Sequence, residues 1–487
     1  PSRDSDLSID DSSYFDLTQD QYFLSIVASS LLEIFFDDKL KEHYIQVVKA
    51  LVTILACPKT FALSYFDHFI SRLLDVLENT SDNLMIIQCL GYYSQLILES
   101  KNNSLPFLER SVKLIIKLFY KIPELDIQLL NLIISFLKAT HDGFNPYSTE
   151  IVCILVVCLD NYKTTNFHVS KLVLIALSYF SLYVSHLLDI IIPQICDSIE
   201  CSNTLPDVRV FALKTLANLV LTVNVSQFSG QITRSLLTGI YSDDKKTVSS
   251  AFELFAALYH KKNEANGISI ILDKLKEEKN ISQEFIENVK VSEIFENFNF
   301  VIKKDIHEFK FFEEQIIQTL SFNYSNNIEH WFRSFVIQTI TNSPYEGFRA
   351  SADLASSYYP LALKIFNQSF LSCWLKMSEE GKKIITQAFK EELFINYENF
   401  QSIITYIMNL IEFMYKIGKP LDINKKELVK YCMNVSKSYG LALKVQGDII
   451  QEQPNNPKEI SKLIDIYICI NQRSNAIGVW KKYAKNS

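Results

Sequence analysis

The chain has 487 residues, 48% hydrophobic and 21% charged, so it folds, and it is too long for one compact core; several domains or an elongated repeat array are expected. Its 11 glycines and 12 prolines are too few for glycine-turn-rich sandwiches and propellers, or for α/β folds with glycine-rich phosphate loops, whereas long helices need few of either. A formal charge of −7 argues against a nucleic-acid binder, which carries a basic face.

Residues 1–20, "PSRDSDLSIDDSSYFDLTQD", carry Ser and Asp without a sustained apolar period and read as a flexible acidic lead. Pro1 in place of Met leads us to expect a part of a longer protein. From 21 to 262 helical periodicity is nearly continuous, and it repeats. The segments "FISRLLDVL", "SVKLIIKLF", "IVCILVVCL", "IIPQICDSI" and "QITRSLLTGI" superpose so that Ile70, Val112, Val152, Ile192 and Ile232 recur every 40 to 42 residues. Each is followed by a break and a second amphipathic run, and residues 21–57 add one unit before the series. A 40-residue helix-pair period marks a HEAT or armadillo-type solenoid. The run "PDVRVFALKTLANL" at 206–219 carries the HEAT second-helix pattern. There Asp207 is expected to cap the helix, Arg209 to tie neighbouring repeats through carboxylates, and Ala212 to leave room for close packing.

The register weakens over 263–310, a charged, irregular connection. Residues 311–395 follow as denser, aromatic-rich helices. Within them "SYYPLALKIFNQSFLSCWLKM" at 357–377 predicts a helix opened by Pro360, whose fixed φ and missing N–H suit a first helical position. Ala362, Phe366, Phe370, Cys373 and Met377 share one face, and Leu361, Ile365 and Trp374 widen it, so two sides of this helix are expected in the core. Residues 396–487 form shorter helix pairs similar to tetratricopeptide hairpins. The fold class is therefore all-α: a HEAT/armadillo-type α-solenoid followed by TPR-like helices.

No catalytic constellation is legible. Gly-x-x-x-x-Gly-Lys-Ser/Thr, Gly-x-Gly-x-x-Gly, His-Glu-x-x-His and Gly-x-Ser-x-Gly are all absent, and the 8 histidines are scattered without a zinc-like spacing. The 9 cysteines lie mostly in apolar helical runs with no Cys-x-x-Cys pair, as free buried thiols in a reducing compartment would. No uninterrupted apolar run approaches the about 18 residues of a membrane span.

The stretch from Trp331 to Trp374 resembles the region just before the FAT domain in target-of-rapamycin (TOR) kinases, members of the PI3K-related kinases. The matching residues are Trp331, Arg333, Arg349, Leu354, Ala355, Tyr358, Pro360, Ala362, Phe366, Asn367, Phe370, Ser372, Cys373 and Trp374. "MNLIEFM" at 408–414, Pro420-Leu421, Cys432 and "YGLALK" at 439–444 resemble the opening of FAT, and the repeats before 263 resemble the family's middle HEAT block in order and length. Ala352 departs from a Trp usual in the family, and Leu363-Lys364 from an Arg-Asp pair.

The resemblance implies a scaffold segment without activity of its own, in a large serine/threonine protein kinase of nutrient and growth signalling. Rapamycin-binding and kinase domains would follow Ser487. No cofactor is implied for this chain, and ATP and Mg only for the kinase domain. Implied partners are Raptor-like or Rictor-like subunits, a second copy of the protein and a small GTPase activator, without nucleic acid. The implied location is cytoplasmic, with peripheral attachment to endomembranes. A stand-alone HEAT adaptor for transport or trafficking, or the scaffold of another PI3K-related kinase, are the alternative readings.

Overall fold

The computed structural model describes residues 11–56, 63–261, 269–279, 281–282, 286, 311–321, 328–394, 403–454 and 456–484. Among these residues every regular element is a helix, and the arrangement is a HEAT-type α-solenoid. The chain divides into two compact units, residues 55–305 and residues 1–54 together with 306–487.

In the 55–305 unit, five helix pairs follow one another: 63–79 with 83–100, 105–121 with 126–140, 148–162 with 167–183, 188–200 with 206–222, and 229–240 with 245–260. The five second helices stack in chain order. Ile70, Val112, Val152, Ile192 and Ile232 are each no more than 1% exposed, so the 40-residue spacing marks the same buried position in successive first helices. Side-chain caps start three of the second helices. Asp82 accepts from Leu84 N and Met85 N, Asn166 from His168 N and Val169 N, and Asp244 from Lys246 N and Thr247 N, which satisfies amide groups that lack a helical partner. The last pair packs closely: a Cβ on Gly239 would lie 2.8 Å from Ala251 Cβ and 3.2 Å from Leu213 Cδ1.

The segment Gly143–Tyr162, with mean hydropathy 1.2, is long and apolar enough by length and composition to cross a membrane. It contains the helix Ser148–Tyr162, whose inward residues Ile151, Val152, Leu155 and Leu159 are buried in the repeat core, so its apolar content is accounted for by packing.

The other unit joins both ends of the chain. Helix Asp11–Phe36 begins inside the stretch read as a flexible lead; residues 1–10 lie outside the described residues. It packs on helices Glu346–Ala350 and Tyr359–Trp374, with the Phe23 ring 5.5 Å from Phe348 and 5.7 Å from Tyr345. The sequence period counted residues 21–57 with the repeats, whereas the contacts of residues up to Ile54 group them with 306–487. Of the 263–310 connection, helix Ser269–Glu278 is described and most of the remainder lies outside the described residues. Beyond it, helices Ile328–Thr341, Tyr359–Trp374, Glu379–Phe394 and Ile404–Lys416 precede four of 10 to 14 residues, Lys425–Asn434, Tyr439–Glu452, Pro457–Cys469 and Arg473–Ala484, each of these four packed on the next.

Candidate functional site

The densest side-chain constellation lies between helices 328–341, 359–374 and 379–394. Phe335 is fully buried at its centre. Its ring meets Phe389 edge-on at 5.8 Å and Phe366 at 6.0 Å, and stacks on Trp331 at 6.1 Å. Phe370 lies 6.3 Å from Phe335 and stacks on Trp374 at 5.6 Å. Offset and edge-to-face pairs of this kind contribute about 0.5–1.5 kcal/mol each beyond area burial. The structure thus brings Trp331, Phe366, Phe370 and Trp374 into one cluster.

The polar members of the same string serve the backbone. Arg349 donates from Nη1 to Ser343 O at 2.7 Å and Pro344 O at 2.8 Å, fixing the turn between helices 328–341 and 346–350, and burial lowers its pKa. Cys373 Sγ donates to Thr339 O at 3.3 Å, and Ser372 and Ser343 share a hydroxyl hydrogen bond at 2.7 Å. Tyr358 is half-buried at the break between helices 352–357 and 359–374, its ring 5.3 Å from that of His43. Pro360 is exposed in the first turn, one place after the helix start at Tyr359, and Asn367 is half-buried.

Two of the repeat residues do something other than expected. The helix Pro206–Thr222 has Leu205 at its cap and no side-chain capping bond; Asp207 sits one residue inside it, exposed, too far along the turn to reach the amide groups it was expected to satisfy. Arg209 donates from Nη2 to Cys201 O at 3.0 Å, at the end of the preceding helix, so it braces its own pair instead of neighbouring repeats. Ala212 is fully buried.

Close carboxylate ties between repeats run along the first helices, which the sequence reading missed, and Lys214 and Glu253 add a longer one, 3.9 Å, between second helices. Arg110 donates to Glu78 Oε1 at 2.8 Å and Asp75 Oδ1 at 2.6 Å; Lys163 bridges Asp160 and Asp197 at 2.7 and 2.5 Å; Arg234 meets Glu200 at 2.8 Å. A usable signal was the opposite charges set 32 to 35 residues apart, one repeat less about two helical turns. In the last helices, buried Glu459 accepts from Gln446 Nε2 at 3.1 Å and from Lys462 Nζ at 3.2 Å, joining helices 439–452 and 457–469.

Among the described residues no group of three or more His, Cys, Asp or Glu is placed to hold a metal ion. The buried thiols are pushed out of the reactive range: burial raises Cys89, Cys158, Cys373 and Cys432 each to about 12 and Cys196 to about 11. A raised pKa keeps a thiol protonated, and so a poor nucleophile, at every pH below it. At pH 8 a maleimide should therefore label exposed Cys153 and Cys469 in the native protein and leave these five unlabelled until denaturant is added. Mass spectrometry finding Cys373 among the first residues labelled would contradict this packing. Cys57 lies outside the described residues.

No family model matches the sequence. The chain is similar to the serine/threonine-protein kinase TOR2 of Saccharomyces cerevisiae, with 24% identity over 488 residues, covering 95% of this chain and 19% of that protein. It is 22% identical to the serine/threonine-protein kinase mTor of Drosophila melanogaster over 95% of this chain and 20% of that protein. It is also 23% identical to tor1 of Schizosaccharomyces pombe over 82% of this chain and 18% of that one. The chain thus spans about a fifth of the length of these relatives. Among solved structures, the karyopherin Kap121p bound to the SUMO protease Ulp1p aligns with 96% of this chain and 45% of its own, at 15% identity and a TM-score of 0.40.

Proposed function

We propose that this chain, a homologue of a segment of the TOR-type serine/threonine protein kinases, serves as a non-catalytic scaffold within such a kinase. The observation that carries the reading is the breadth of the similarity: it extends along 95% of the chain while taking in only 19–20% of each of two relatives. A repeat array suits such work, because each added helix pair supplies further surface without requiring a new core. Its part would be to shape the kinase, support contacts between two copies and carry accessory subunits of the Raptor or Rictor type and a small GTPase activator. ATP and Mg would be needed only by a kinase domain elsewhere in the longer protein. A cytoplasmic location with peripheral attachment to endomembranes is part of the same proposal, and the eight cysteines among the described residues, all free thiols, suit a reducing compartment.

Sequencing the native transcript beyond the codon for Ser487 tests this directly. The expected result is an open frame running through further helices into a kinase catalytic loop. A stop codon immediately after Ser487 would remove the kinase from the proposal and leave a free-standing helical adaptor.

A further inference from the structure

We draw no further inference here: the strongest candidate, the apolar face that Ile464, Ile468, Ile477 and Trp480 form on the helix pair 457–469 and 473–484 at the end of the described residues, carries nothing because nothing in the structure shows what covers it.

Discussion

Phe335→Ala should destabilise the 1–54/306–487 unit by about 3–5 kcal/mol, the range for a large aromatic removed from a core that cannot collapse around the gap. Phe335 is wholly buried, and four rings lie on it from helices that belong to the same bundle, so no single neighbour can move in without losing its own contacts. Trp374→Ala deletes more atoms but should cost less, about 3 kcal/mol, because Trp374, 7% exposed, lines an open groove beside helix 379–394 from which water can follow the truncation. The readout can be confined to this unit, since all 3 tryptophans, Trp331, Trp374 and Trp480, lie in it. Followed by tryptophan fluorescence, the thermal midpoint of Phe335→Ala should fall by about 6 °C or more. An unchanged midpoint would mean that the aromatic cluster is not a packed core.

How far this was legible in the sequence depends on the distance over which each feature acts. A repeat writes its period locally, so equivalent positions such as Ile70 and Ile232 stand out from spacing alone, and they are buried in the structure. The helix 359–374 is apolar on two sides for the same local reason. What covers each side is a matter of residues far away in the chain. Gln46 accepts from Ser357 at 2.9 Å, Lys49 pairs with Asp353 at 3.4 Å and Glu33 with Lys364, across about three hundred positions, and no periodicity announces such pairs. Lys364 itself stands where the resemblance noted a departure. Its partner on helix 11–36 gives that substitution a structural use.

The polar assignments show a different limit. Asp207 was given a capping role because its residue type fits, but a cap works only one position before the first helical residue, and a boundary shift of one or two residues is within what sequence patterns leave open. Arg209 carries five donors that can serve any acceptor within reach. Which acceptor is nearest follows from the angle between the helices of one pair, and here that acceptor is the carbonyl of Cys201.

In the repeats the decisive residue is Phe136. It is fully buried in helix 126–140, with Tyr93 from the preceding second helix edge-on at 6.0 Å and Phe144 at 6.4 Å, and Phe144 in turn meets Phe180 of the next second helix at 5.5 Å. One chain of rings thus crosses three successive pairs. Phe136→Ala should cost about 3–5 kcal/mol, and in a quasi-one-dimensional array that loss falls on the pairs sharing the broken interface. Hydrogen exchange resolves where it falls. Amides in helices 83–100, 126–140 and 167–183 should lose about 100-fold or more of their protection, since about 1.4 kcal/mol corresponds to a factor of ten, while those in helix 245–260 should change little. An equal loss in all five pairs would mean that the array opens as one cooperative block. No loss in any of them would mean that the chain of rings contributes nothing to holding the repeats together.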